Sequence, residues 1–190
     1  MELSIRLKTV AEAVTKGNRV ADVGTDHGYV PIYLVKNNLS PAGIAMDVNK
    51  GPLEKAQEHI REEKLGGKIA TRLGNGLAPL EPGETDTVII AGMGGDLICK
   101  ILKAKPEFLI EGKEFILQPQ SEWFKIRRLL KEYLEKEIVK KESIAADLKL
   151  SIKEMESEEL SGKERGNIAK RQRRYQEIQK EIRDMRKAIG

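Results

Sequence analysis

Arg19-Val20-Ala21-Asp22-Val23-Gly24-Thr25-Asp26-His27-Gly28-Tyr29 reads as a strand running into a glycine turn. The residues through Gly24 form a short buried strand, and Val30 to Lys36 supplies the apolar run of a helix behind it. Gly24 and Gly28 stand where backbone must approach another body closely and where a helix N-terminus opens. Strand, turn and helix in that order make the first unit of a wound α/β sheet.

The same alternation continues outward. Before it, Met1 to Lys16 reads as an amphipathic helix carrying Leu3, Ile5, Leu7, Val10 and Val14. After it, Ala42 to Val48 is a second strand with Asp47 near its end, and Gly51 to Lys64 a helix with Pro52 in its first turn. Ile69 to Leu73 is a third strand leading to Gly74-Asn75-Gly76-Leu77. Asp86 to Ala91 is a fourth, apolar enough to be covered on both faces. Gly92-Met93-Gly94-Gly95 then turns the chain into a helix from Asp96 to Lys103, and Pro106 leads to a fifth strand, Glu114 to Leu117. Gln118-Pro119-Gln120 closes that strand, with Ser121 as cap for the next helix. The expectation is a Rossmann-like parallel sheet of about five strands wound by right-handed crossovers over residues 1–130.

From Leu134 the pattern changes. Leu134, Ile138, Ala145, Leu148, Ile152 and Met155 keep 4-3 spacing once the polar Lys141 takes its place between Ile138 and Ala145, the seam of a coiled coil. After a break at Ser161-Gly162 and Gly166-Asn167 the spacing resumes through Ile168, Arg171, Tyr175, Ile178, Ile182, Met185 and Ile189. Residues 131–190 are therefore expected to fold as an antiparallel coiled-coil hairpin.

Charge follows this division. Residues 1–130 carry 18 Lys and Arg against 17 Asp and Glu, whereas residues 161–190 carry 10 against 4. Such a basic end suits a polyanion such as RNA, and equally a solvated helix face. One Cys (Cys99) excludes an internal disulfide, and two His (His27, His59) are too few for a zinc site of the usual kind. No metal is expected. Arg6 and Glu12 interrupt any leader or membrane-spanning run in the first helix, so the expectation is a cytoplasmic protein without a membrane partner.

Ligands of open parallel sheets bind outside the carboxyl ends of the strands, where the strand order reverses. The first turn lacks the full G-x-G-x-x-G pattern, and Asp26 would oppose a dinucleotide pyrophosphate. The same carboxylate suits S-adenosylmethionine (SAM), which carries an ammonium and a cationic sulfonium that Asp22 or Asp26 can hold. Asp47, 23 residues beyond Gly24, is placed to accept both ribose hydroxyls.

The words Ala21-Asp22-Val23-Gly24-Thr25-Asp26-His27-Gly28-Tyr29, Gly74-Asn75-Gly76-Leu77, Ile90-Ala91-Gly92-Met93-Gly94-Gly95 and Leu117-Gln118-Pro119, in that order and spacing, resemble the bacterial tRNA (adenine-22)-N1-methyltransferase family, TrmK. The resemblance implies a SAM-dependent Rossmann-like methyltransferase domain with a C-terminal coiled coil, acting on N1 of an adenine in tRNA. It implies that Asp22, Gly24, Thr25, Asp26, His27 and Gly28 form the first cofactor loop, that Asp47 and Val48 hold the ribose end, and that Asn75 and Gly76 flank the adenine. Ala91, Gly92, Met93 and Gly94 then lie between cofactor and target base. Asp26 and Met93 are the expected catalytic residues, and Tyr29 is a further candidate for packing on the base. Lys170, Arg171, Arg173, Arg174, Arg183, Arg186 and Lys187 are expected to grip tRNA phosphates, in a monomer or weak homodimer.

The resemblance also implies two further strands after the helix containing Trp123, Phe124, Ile126, Leu129 and Leu130. No stretch here reads that way, because Arg127-Arg128-Leu129-Leu130 runs straight into Lys131-Glu132-Tyr133-Leu134. Some tens of residues are missing relative to the family, which leaves the fifth strand as an open edge. A SAM- or RNA-binding module without catalysis is the alternative, and a small-molecule methyltransferase a second one. A dinucleotide oxidoreductase is disfavoured by the acidic first turn.

Overall fold

The structure, a computed structural model, describes residues 2–110, 114–156 and 162–189. The first half of the chain alternates α1 (Ile5–Glu12), β1 (Val20–Val23), α2 (Tyr29–Lys36), β2 (Gly43–Asp47), α3 (Lys50–Glu62) and β3 (Ile69–Leu73). β4 (Thr87–Gly94), α4 (Gly95–Ala104), α5 (Glu107–Ile110) and β5 (Glu114–Ser121) follow, then α6 (Trp123–Glu156) and α7 (Gly162–Ile189). The five strands form one parallel sheet in the order β3-β2-β1-β4-β5. The chain winds from β1 to one edge and then returns to start β4 beside β1, so the order reverses between β1 and β4.

Burial explains why the central strands are largely apolar, Asp22 and Thr87 being their buried polar members. β1 is buried at every position, and Val88, Ile89 and Ile90 of β4 are fully buried in succession, as a strand covered on both faces requires. Val10, Ala11 and Val14 pack with Val20, Val30, Leu34 and Ile89. A second cluster joins Ile32 and Val35 to Ala45, Ile60 and Ile69. Polar ties brace the opposite, amino ends of the strands. Arg19 donates two bonds of 2.9 Å to Asp86, and Glu114 accepts from the Thr15 amide and the Thr15 and Thr87 hydroxyls at 2.7–3.0 Å.

Several expectations need correction. The first helix is only Ile5–Glu12, capped by the Ser4 hydroxyl, and Ile5 points to solvent at 88% exposure. Gly92-Met93-Gly94-Gly95 is not a turn. β4 runs on to Gly94, with Met93 paired to Pro119 and Gly94 to Ser121 across a register irregularity, where Gly92 adopts φ +77°. β5 accordingly continues through Gln118-Pro119-Gln120 to Ser121. An edge strand with an irregular ladder tolerates the proline, which has no amide hydrogen to pair. Ser121 belongs to that strand rather than capping a helix, and Glu122, at φ +53°, makes the turn into α6. The short helix α5 was not anticipated.

Chain contacts divide the molecule into two compact units, residues 1–126 and 127–190. Trp123 to Glu156 is one unbroken helix, and among the described residues no strand follows β5, which pairs only with β4 there. Within the second unit, Ile138 and Ala145 of α6 pack with Ile178 and Ile182 of α7. Lys141 pairs with Glu181, Glu142 with Arg186, and Ser151 with Arg171. Lys141 and Glu142 thus meet residues 181 and 186, whereas Ser151, further along α6, meets the earlier Arg171, so the two helices run antiparallel. Gly166-Asn167 is not a break but lies inside α7, since exposed helix positions accept such residues at a cost of about 1 kcal/mol for Gly. Ser161 of the expected break lies outside the described residues.

Candidate active site

A cleft of about 420 Å³ opens at the carboxyl ends of the strands, where the strand order reverses. Its floor is made by the loop after β1. The amides of Gly24 and Thr25 both donate to the Met46 carbonyl at 2.8 Å, which folds this loop against the end of β2. Gly24 adopts φ +74°, and a Cβ built there would lie 2.1 Å from Met93 Cε. Only glycine combines this backbone conformation with Met93 packed so close above it.

Of the residues singled out in the sequence, Gly24, Asp26, Asp47, Val48, Asn75, Gly76, Ala91, Gly92 and Met93 line this one cleft. Asp47 stands at the end of β2 with one oxygen accepting from the Asn49 amide at 2.7 Å, leaving the other to a ligand. Gly76 adopts φ +57° with Ile101 packed where its side chain would be. The others stand behind the wall. Asp22 and Thr25 are buried, the Thr25 hydroxyl donating to Asp22 Oδ2 at 2.7 Å. Gly28, at φ +75°, precedes α2 and packs against Ala56 of α3. Gly94 leads β4 into α4.

His27 backs Asp26 instead of facing the cleft. Its Nε2 lies 3.0 Å from Asp26 Oδ1, its carbonyl lies 3.0 Å from His59 Nδ1, and its ring stacks on Tyr29 with centroids 5.4 Å apart. Tyr29 also stacks on His59 at 5.3 Å. Together these contacts fix a loop residue held at φ +61°.

The cleft is acidic. Burial pushes the Asp22 carboxyl up to about 6, against the Thr25 hydrogen bond, and the charges of Asp26 and Asp47 push it the same way. A cation placed beside these carboxylates favours their ionised forms. Among the described residues no group of three or more His, Cys, Asp or Glu side chains is gathered to hold a metal. No helix among them is long and apolar enough to cross a membrane.

Sequence reasoning missed Arg6, Asn49, Leu97, Ile101 and Gln120, which also line the cleft. Gln120 adjoins a segment that was singled out. Arg6 carries no local mark: it reaches the site from α1 and donates to Gln118 Oε1 at 3.0 Å, an oxygen that also accepts from the Gly92 amide at 3.1 Å.

The basic residues of the last helix belong to the second unit. Arg171 bonds Ser151, Arg174 pairs with Glu177 and Glu181, and Arg186 with Glu142. Lys170, Arg173, Arg183 and Lys187 are exposed and have no partner among the described residues. At about 100° per residue these four share one side of α7, opposite Ile168, Tyr175, Ile178 and Ile182.

Residues 3–150 match a family model described as a methyltransferase domain. The tRNA (adenine(22)-N(1))-methyltransferase of Bacillus subtilis (strain 168) is 40% identical over 130 residues, covering 68% of this chain and 55% of the relative. The chain thus spans about half the length of that curated relative. The crystal structure of the B. subtilis M1A22 tRNA methyltransferase TrmK matches with a TM-score of 0.67 at 24% identity, over 100% of this chain and 99% of that one, a likeness of fold. A Streptococcus pneumoniae protein solved in complex with S-adenosyl-L-methionine matches with a TM-score of 0.67 at 25% identity, over 100% of both chains.

Proposed function

The chain belongs to the methyltransferase-domain family, and from that premise and its likeness to the TrmK relative we propose that it transfers the methyl group of SAM to N1 of adenine 22 in tRNA. The observation that carries the proposal is the composition of the cleft along the sheet: a carboxylate at the end of β2, a bare glycine after β1, and Ala91-Gly92-Met93 at the end of β4. An acid at the second strand suits a ribose diol, and the carboxylates beside Gly24 suit an ammonium and a sulfonium. At the floor Gly24 carries no side chain, and Met93 Cε packs where a Cβ would stand, which brings the expected base-side residue against the cofactor loop.

In this reading Asp47 and Val48 hold the ribose, Asn75 and Gly76 flank the cofactor's adenine, and Asp26 faces its positive charge with the buried carboxyl of Asp22 behind the wall. Thr25, His27, Gly28 and Gly94 hold the surrounding backbone in place. Bound SAM supplies an electrophilic methyl group on a cationic sulfur. Adenine N1 carries a nucleophilic lone pair, so the protein forms no covalent intermediate and contributes mainly by positioning. N1 lies on the Watson-Crick edge, so the base must leave its pair or stack before it reaches Met93. Asp26 accepts a hydrogen bond from the exocyclic amine and stabilises the positive charge that develops on the ring.

Residues 1–130 act in this reading as the methyltransferase domain and residues 131–190 as a coiled-coil tRNA grip. The unpartnered cations of α7 support the latter, as phosphate contacts that position without reading sequence. We further infer a cytoplasmic enzyme acting as a monomer or weak homodimer. The test is transfer of labelled methyl from SAM to two tRNA transcripts that differ only at position 22. Label in the adenine transcript and none in its guanine counterpart is expected. Folded protein that binds the cofactor product and labels neither transcript withdraws the enzyme assignment and leaves a binding module.

A further inference from the structure

We propose that α6 carries a self-complementary face through which two copies of this chain pair antiparallel; the assignment deepens the homodimer reading above and is independent of what the cleft binds. Val139, Ser143, Ala146 and Leu150 follow 4-3-4 spacing within α6. At about 100° per residue they form one stripe, on the side of the helix away from Ile138, Ala145 and Ile152. All four are exposed, Val139 at 65% and Leu150 at 58%, and none of them belongs to the cluster that holds α6 against α7. An apolar stripe with 4-3 spacing on an exposed helix face is the pattern that a second helix covers.

Charge selects the occupant. Lys136, Lys140, Asp147 and Glu154 run along one side of the stripe, and Glu135, Glu142, Lys149 and Lys153 along the other. On the first side two cations precede two acids, and on the second two acids precede two cations. Such a face complements itself when a copy lies antiparallel about a two-fold axis level with Ile144 and Ala145. Val139 then meets the partner's Leu150, and Ser143 meets the partner's Ala146, small residues that let the helices approach at the centre. Lys136 faces the partner's Glu154, Lys140 the partner's Asp147, Glu135 the partner's Lys153, and Glu142 the partner's Lys149. Every pair is attractive, and the symmetry makes each one twice. A parallel copy would instead set Glu142 against the partner's Asp147. Glu156, the last residue of α6, falls opposite the partner's Tyr133, so the pairing stays within the second unit. One stripe with a Val–Leu contact on either side of the axis makes a small interface, of the weak and concentration-dependent class.

Within one chain Lys140 pairs with Glu137 and Glu142 with Arg186, so the outer pairs are the ones to exchange. Sedimentation equilibrium of the full chain is expected to show a reversible monomer–dimer step that weakens with salt. Two variants keep the net charge: Glu135→Lys with Lys136→Glu, and Lys153→Glu with Glu154→Lys. Each alone sets like charges together at both ends of the face and is expected to weaken self-association about tenfold or more. Their equimolar mixture is expected to regain the parent's association, because every outer pair is unlike again. Val139→Ser with Leu150→Ser is expected to leave only monomer, and thermal midpoints check that each variant keeps its fold. A parent chain that stays monomeric at the highest attainable concentration overturns the proposal. So does a dimer that both exchanged variants retain, or a mixture that associates no better than either variant alone. None of these results bears on methyl transfer, which is read from labelled tRNA.

Discussion

Replacing Asp22 by Asn should make the fold more stable and the cofactor bind less well. Asp22 is 6% exposed, and burial lifts its carboxyl from 3.8 to about 6. Ionising it in the folded chain therefore costs on the order of 3 kcal/mol more than in the unfolded chain. Because the folded value is the higher one, the folded chain keeps its proton longer. Stability contributed by this group is full below about pH 4, falls as pH rises, and is lost above about 6. Asparagine keeps an oxygen for the Thr25 hydroxyl, which now donates to Asp22 Oδ2 at 2.7 Å, and carries no charge. The amide nitrogen that replaces the other oxygen needs a partner of its own, so the full amount is an upper bound. Thermal unfolding followed by circular dichroism from pH 4.5 to 8 should show Asp22→Asn with a shallower pH slope. At pH 8 its midpoint should be raised by up to roughly 10 °C. Affinity for S-adenosylhomocysteine at pH 8 should fall at the same time. A variant no more stable than the parent at pH 8, with the parent's pH slope, would falsify the claim that burial of this carboxylate opposes folding.

Further outcomes follow from the same geometry. Asp47→Ala should weaken S-adenosylhomocysteine at least about tenfold in calorimetry with the thermal midpoint nearly unchanged, because Asp47 makes only a local bond to the Asn49 amide. Gly24→Ala costs about 1 kcal/mol for its left-handed backbone and forces Met93 Cε away from a Cβ built 2.1 Å from it; folded protein with reduced cofactor affinity is the expected result. Reversing Lys170, Arg173, Arg183 and Lys187 to Glu should lower tRNA affinity and reduce the slope of log affinity against log salt by up to about 3. Cofactor affinity should be untouched, and an unchanged salt slope in fluorescence anisotropy would remove this helix from the RNA contact.

The sheet was legible because its strands obey local rules. A fully buried parallel strand is largely apolar, and the stretches Arg19–Gly24 and Asp86–Ala91 are read as strands on that basis; β1 and β4 fall on them, with β4 running on to Gly94. Ile69–Leu73 was bounded correctly to the residue. The cleft was legible in part for a related reason: loops at strand ends need glycines and short polar residues, which stand out against apolar runs. Local rules failed where tertiary pairing overrode them. Gly92-Met93-Gly94 looks like a turn by composition, yet the neighbouring β5 pairs with it and keeps it extended. His27 looks like a cofactor contact in sequence, but its Nε2 meets Asp26 and its ring stacks on Tyr29, so it stands behind the loop as a brace. Arg6 was invisible because its meaning comes from Gln118, 112 residues away. The four unpartnered cations of α7 were likewise indistinguishable from Arg171, Arg174 and Arg186 until their partners on both helices were known.

The central claim is a methyl group placed on a ring nitrogen of adenine. It is tested most directly by incubating the chain with SAM and unmodified tRNA transcript, digesting the RNA, and identifying the nucleosides by mass spectrometry against synthetic standards. The account predicts 1-methyladenosine, arising with time and protein concentration. Folded, cofactor-binding protein that yields only N6-methyladenosine, or no methylated nucleoside, would contradict it.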